Sequence, residues 1–233
     1  MGTLLAVFAH PDDETFICGG TLAKYAAEGH DVILVCATLG EMGRRMGVPP
    51  VATRETIGAL RRQELIAACA MLAVSDLRLL HLRDKSLEIQ PFDTLVASIL
   101  THMKDVQPAV VVTFHERLGG HPDHCTIGAA ATAAFRDYRR SQPAAQLYFV
   151  GWPAMASRPD EYGLRAGELI RVDVRSQLPA KLRAFRAHRT QSEMNAWLFK
   201  ADSEGLRHLS SDEYFIVGDI GDRPVPTGTL WPS

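Results

Sequence analysis

Two short stretches carry side chains able to bind a metal ion or move a proton. His10-Pro11-Asp12-Asp13 packs an imidazole and two carboxylates together, and His121-Pro122-Asp123-His124 packs two imidazoles and a carboxylate. A zinc site that does chemistry usually takes three protein ligands from His and Asp/Glu and keeps a further position open for water. His10, Asp13 and one histidine of the second stretch would supply that set. A metal so held makes water acidic enough to act as a nucleophile under mild conditions. Asp12 then remains as a general base, with the other histidine as an electrostatic helper. Asp123 would hold that helper in its charged form, as a carboxylate behind an imidazole commonly does. Taken singly, each stretch reads more simply as a turn or a helix cap, because Pro and Asp favour turns and Asp caps helices. The two together, each just after an apolar run, favour the metal.

The elements that must position these residues follow from hydrophobic patterning. Leu4–Phe8, Asp31–Thr38, Leu77–Leu82, Ala109–Phe114, Gln146–Val150 and Leu169–Val174 read as strands, with Tyr214–Val217 as a last candidate. Phe16–Glu28, Arg54–Leu72, Phe92–Val106, Thr126–Tyr138 and Leu178–Ala187 read as helices, the first stopped by Gly29 and the third by Pro108. Leu39–Thr53 has no period and reads as a long functional loop. Beyond His188 the pattern weakens. Strands alternating with helices imply an α/β fold, a Rossmann-like and mostly parallel sheet with helices on both faces, formed as one domain over residues 1–233. The loops that carry His10, Asp12 and Asp13, then Glu41, then Asp84, then His121, Asp123 and His124 would all lie at the carboxyl edge of that sheet, where ligands bind in such folds.

Composition sets outer bounds. The 233 residues are 46% hydrophobic, with a formal charge of −2 and no basic block, which argues against nucleic acid as a partner. There is no basic leader and no apolar run long enough to span a bilayer, so a cytoplasmic location and no membrane partner are expected. Cys18, Cys36, Cys69 and Cys125 lack C-x-x-C spacing and read as reduced thiols. His115-Glu116-Arg117-Leu118-Gly119 begins like H-E-x-x-H but lacks the second histidine.

The chain resembles the PIG-L/LmbE family of zinc-dependent N-deacetylases, which act on N-acetylglucosamine conjugates. The residues that carry the likeness are Ala9-His10-Pro11-Asp12-Asp13-Glu14, Gly19-Gly20-Thr21-Leu22, Thr38-Leu39-Gly40-Glu41-Met42-Gly43, Arg61-x-x-Glu64, His121-Pro122-Asp123-His124 and His188-Arg189-Thr190-Gln191. Within the family, Leu39–Arg44, Arg54-Glu55-Thr56, Asp76-Leu77-Arg78 and Arg83-Asp84-Lys85 look most like the bacillithiol-pathway branch, which deacetylates N-acetylglucosaminyl-malate. The resemblance implies zinc, or ferrous iron, on His10, Asp13 and His124. It implies Asp12 as the base, and His121 as oxyanion stabiliser and proton donor oriented by Asp123. Glu41, Arg61 and Asp84 would line the sugar pocket, and a homo-oligomer, a trimer or hexamer, would form. Some relatives carry a tyrosine where Gly119 stands, so an oxyanion role for that side chain must come from elsewhere. A malate aglycone would meet Arg44, Arg45, Arg54 and Arg83, because the planar guanidinium suits carboxylates.

Two rival classes are weaker. A metal phosphoesterase would want two ions and more bridging carboxylates. A non-hydrolytic nucleotide-binding module would want G-x-G-x-x-G at the first strand-to-helix turn, where His-Pro-Asp-Asp stands instead.

Overall fold

The computed structural model describes residues 1–218 and 228–231. Its strands are β1 (Thr3–Phe8), β2 (Asp31–Thr38), β3 (Asp76–Leu82), β4 (Val110–Thr113), β5 (Gln146–Gly151), β6 (Leu169–Asp173) and β7 (Asp212–Val217). They form one seven-stranded sheet in the order β3-β2-β1-β4-β5-β7-β6. β3 through β5 run parallel, while β7 lies antiparallel to β5 and to β6. The expected mostly parallel α/β sheet is what forms.

Among the described residues the helices are α1 (Asp13–Ala27), α2 (Ile57–Leu72), α3 (Phe92–Val106), α4 (Pro122–Arg139), α5 (Pro153–Ser157), α6 (Leu178–Ala187), α7 (Arg189–Ser192) and α8 (Asp202–Gly205). α1, α2 and α6 pack together on one face, and α3 with α4 on the other. Covered on both sides, the central strands need no alternation of polar and apolar residues. Leu4 to Phe8 and Val110 to Val112 are accordingly all fully buried. After β1 the chain steps outward to β2 and β3, and it then returns to the other side of β1 for β4 and β5. The strand order therefore reverses between β1 and β4, which is where ligands bind in open α/β sheets.

Three helix starts differ from the sequence reading: α2 begins at Ile57 rather than Arg54, and the other two bear on the chemistry. α1 begins at Asp13 and α4 at Pro122, so each chemical motif ends in the first turn of a helix rather than in a preceding loop. The physics is familiar: Asp13 and Glu14 complement the positive helix end, and Pro122 stands at the first helical position, where its missing N–H is harmless. α1 also kinks at Cys18 (φ −136°, ψ 21°), and the N–H groups of Gly20 and Thr21 donate to the buried Glu213 carboxylate at 2.9 and 2.7 Å. Glu213 in turn pairs with buried Lys181 at 2.5 Å, which ties α1 to β7 and α6.

α4 can approach β4 closely because Gly128 has no side chain: a Cβ there would lie 2.2 Å from the Phe114 carbonyl oxygen. Gly128→Ala is expected to destabilise the fold by about 1–3 kcal/mol, the usual range for overpacking. A lowered thermal midpoint checks this, and an unchanged one contradicts it.

Candidate metal centre

His10 follows β1, and Asp13 opens α1 one turn later. His124 lies in the first turn of α4, on the far side of the β1/β4 boundary. His124 Nε2 lies 3.2 Å from His10 Nδ1 and 3.2 Å from Asp13 Oδ1, and His10 Nδ1 lies 3.6 Å from Asp13 Oδ2. Tetrahedral bonds of 2.0–2.1 Å around zinc imply ligand separations of about 3.3 Å. The three groups thus meet at the spacing of a metal's coordination shell.

Their hydrogen bonds fix which atoms are available. His124 Nδ1 donates to the Gly119 carbonyl at 3.0 Å, leaving the Nε2 lone pair facing inward. His10 Nε2 faces two carboxylate oxygens, Asp84 Oδ1 at 3.1 Å and Asp123 Oδ2 at 3.2 Å, so it carries the proton and Nδ1 carries a lone pair. Two imidazole lone pairs face the Asp13 carboxylate, one toward each of its oxygens, an arrangement that positive charge relieves. Burial alone would lower the His10 pKa, but its hydrogen bonds with Asp123, Asp13 and Asp84 push it up to about 12 when a proton is the only cation present. Burial also disfavours the Asp13 carboxylate, yet His124 and His10 hold its pKa far below the ordinary range. The donor set fits a divalent cation such as zinc or ferrous iron.

Asp12 stands beside this triad with φ 110° and ψ −26°, a left-handed conformation that is rare outside glycine. Such strain costs of order 1–3 kcal/mol and persists only where the surroundings over-determine it. Its N–H donates to Glu14 Oε2 at 3.0 Å, and its carbonyl accepts from Thr15 and Phe16. Arg61, only 4% exposed, ties this turn to the next loop. Its guanidinium donates to the carbonyls of Pro11 and Gly40 and lies 3.3 Å from Asp12 Oδ2. Burial raises the Asp12 pKa, the Arg61 charge opposes it, and the balance falls at about 6, suited to a base working near neutrality.

His121 is the N-cap of α4, and its Nδ1 accepts the Asp123 N–H at 3.1 Å. The ring proton therefore sits on Nε2. Burial, then the neighbouring His10 and His124, lowers its pKa, so it is a neutral donor. This corrects the expectation that Asp123 holds a charged His121. The Asp123 carboxylate turns the other way, accepting from His10 Nε2 and from the N–H groups of Lys85 at 2.7 Å and Leu87 at 3.2 Å.

The residues expected at a sugar pocket are placed unequally. Arg61 lies beneath the site rather than lining it. Asp84 is also only 4% exposed, with Oδ2 accepting from Met42 N–H at 2.8 Å and Oδ1 against His10. Glu41 accepts the Asp84 N–H through Oε1 at 2.9 Å, while its Oε2 is buried with no partner among the described residues. Of the arginines expected to meet an anionic aglycone, Arg45 bonds the Gln191 carbonyl and Arg54 the carbonyls of Glu41 and Gly43. Arg83 donates to the Met42 sulfur at 3.9 Å. Gly119 is accounted for as well: a Cβ there would press on His124 Cβ at 3.0 Å, and its carbonyl sets the His124 tautomer.

Sequence reasoning missed Glu14, Glu64 and the 188–193 segment as working parts. Glu14 and Glu64 are buried carboxyl groups, 1% and 7% exposed, held by His188 and Thr190. The signal available was the His-x-x-Gln element itself, polar in a stretch with no amphipathic period.

A second metal beside the first is not favoured. Ligand-capable atoms of His10, Asp84 and Asp123 do come within 4.8 Å of one another. Both carboxylates, however, already accept backbone N–H groups and the His10 proton.

Two outcomes follow. Asp123→Asn should weaken metal binding by ~10–100-fold, the usual loss when an imidazole ligand loses its carboxylate partner; chelator competition measures it, and unchanged affinity contradicts the His10 assignment. Arg61→Met removes the cation that holds the Asp12 pKa down. The base is active when deprotonated, so the acid limb of kcat/KM should move to higher pH. A limb that stays or falls contradicts that pairing.

Comparison with known proteins places the chain in a family. The profile of the PIG-L family, described as GlcNAc-PI de-N-acetylase, matches residues 5–135. A Bacillus subtilis protein named probable N-acetyl-alpha-D-glucosaminyl L-malate deacetylase 2 is 38% identical over 191 residues, covering 82% of this chain and 83% of its own. A Thermobispora bispora protein named 1D-myo-inositol 2-acetamido-2-deoxy-alpha-D-glucopyranoside deacetylase is 32% identical over 283 residues, covering 97% and 92%. The solved structure of the 4-carboxy-2-hydroxymuconate hydratase GalB from Pseudomonas putida KT2440 superposes with a TM-score of 0.68 at 18% identity, covering 94% of this chain and 97% of that one. That last likeness concerns the fold alone. With a matching profile that spans both histidine motifs and relatives this similar along most of its length, the chain belongs to the PIG-L family.

Proposed function

We propose that this chain hydrolyses the N-acetyl group of an N-acetylglucosamine conjugate, releasing a free amine and acetate, with N-acetylglucosaminyl-malate as the substrate. The observation that carries the reading is the meeting of His10, Asp13 and His124 beside a base, Asp12, whose pKa lies near neutrality. The names of the Bacillus subtilis and Thermobispora bispora relatives support an N-acetylglucosamine conjugate, and the first supports malate. A hydratase on the same fold would also need activated water, but its likeness is confined to the backbone.

His10 Nδ1, Asp13 and His124 Nε2 would hold one zinc ion, or ferrous iron, per chain. When bound, the ion supplies Lewis acidity, polarising a carbonyl and making water nucleophilic near neutral pH. The protein supplies the rest. Asp12 takes the proton of the attacking water. His121 Nε2–H donates to the developing oxyanion as a neutral hydrogen-bond donor, the form its environment favours. Protonated Asp12, with a pKa near 6, can then return its proton to the departing nitrogen. Glu41 Oε2, buried with no partner among the described residues, would be relieved by a sugar hydroxyl. Among the described residues no helix is long and apolar enough to cross a membrane.

The test is a panel of malate, inositol, lipid and chitobiose N-acetylglucosaminides assayed for released amine. The malate conjugate should turn over fastest, and activity should vanish with a chelator and return with zinc or ferrous iron. Asp12→Asn should lower kcat by ~10²–10⁴ while metal content stays unchanged. No amine from any substrate would overturn the assignment.

A further inference from the structure

The strained peptide at Asp12 is held from behind by a residue far along the chain. The Asp12 N–H donates to Glu14 Oε2 at 3.0 Å, and Glu14 Oε1 accepts from His188 Nε2 at 2.6 Å and from Thr15 Oγ1 at 2.6 Å. His188 is fully buried at the end of α6, and its Nδ1 finds no partner among the described residues. A buried ionic pair with one nitrogen left over is a weak stabilising device, since an apolar pair of similar volume often serves stability as well or better. What it does secure is the orientation of the Glu14 carboxylate, and with it the backbone of the base.

The following residues grip the long loop over the site. Thr190 bonds Glu64 on α2 through its N–H and hydroxyl, at 2.8 and 2.6 Å. Gln191 and Arg45 exchange hydrogen bonds at 2.7 and 3.3 Å. Glu193 accepts the Val48 N–H at 2.8 Å. One short segment therefore touches both the loop and the support of the base.

We propose that His188 is a positioning residue for the general base: acting through Glu14, it fixes the Asp12 peptide in its left-handed conformation and so aims the Asp12 carboxylate. The proposal rests on Asp12 being the base. The zinc-loaded enzyme is compared with His188→Leu, which removes the donor, and His188→Gln, which retains an N–H, each in the native and the Asp12→Asn backgrounds. Amine release, zinc content and thermal midpoint are measured for all.

His188→Leu should lower kcat about tenfold with KM and zinc content little changed, since small misplacements of a reacting group are costly. His188→Gln should recover most of that loss. In the Asp12→Asn background His188→Leu should change kcat by less than about twofold, because groups that act as a unit are not additive. Equal fold-losses in both backgrounds, a native kcat in His188→Leu, or a loss that tracks zinc content would overturn the role. If His188→Leu does not fold, His188→Asn, whose shorter amide cannot span the gap to Glu14, replaces it with the same expectations. Full activity in Asp12→Asn alone would instead overturn the base assignment, and the positioning role with it.

Discussion

Electrostatic frustration at the β1/β4 boundary organises this molecule. Two imidazole nitrogens with inward lone pairs lie 3.2 Å apart, and the Asp13 carboxylate meets both, His124 through Oδ1 at 3.2 Å and His10 through Oδ2 at 3.6 Å. Each is locked there by a bond on its other side: His124 by the Gly119 carbonyl, His10 by Asp84 and Asp123, and Asp13 by the His10 N–H. None of them can turn away to relieve the crowding without leaving a buried group unsatisfied. Charge of opposite sign is the remaining remedy, and a divalent ion supplies more of it than a proton. The parallel sheet makes this possible by placing the starts of α1 and α4 side by side at the reversal of strand order.

The same logic extends outward in layers. Asp84 and Asp123, which orient His10, are themselves oriented by backbone N–H groups of residues 42, 85 and 87. The loops after β2 and β3 thus reach His10, a proposed metal ligand, through carboxylates rather than directly. Arg61 does the corresponding work for the base, spanning from the Gly40 carbonyl to the Pro11 carbonyl and the Asp12 side chain. Preorganisation of this kind keeps reacting groups aligned without reorganisation at the moment of reaction.

Most of the frame was legible in the sequence because parallel strands buried on both faces leave unbroken apolar runs. Leu4–Phe8 and Val32–Ala37 could hardly be anything else. The paired histidine motifs were legible because each followed such a run. The helix starts were harder: Asp13 and Pro122 looked like loop residues, although an acidic first turn and a proline at the first position are both helix signals. The buried polar layer was least legible. Arg61, Glu64 and His188 look like surface residues on composition alone, and only tertiary pairing makes their burial tolerable. Which histidine Asp123 serves could not be read from spacing, since the deciding contact comes from His10, more than a hundred residues away.

The account turns on one ion held between the two helix starts. Anomalous scattering from crystals of the metal-loaded protein, recorded at the absorption edges of zinc and iron, measures this most directly. The account predicts one peak per chain, bonded to His10 Nδ1, an Asp13 oxygen and His124 Nε2, with a remaining position open to solvent. A peak elsewhere, two adjacent peaks, or none at full metal loading would contradict it.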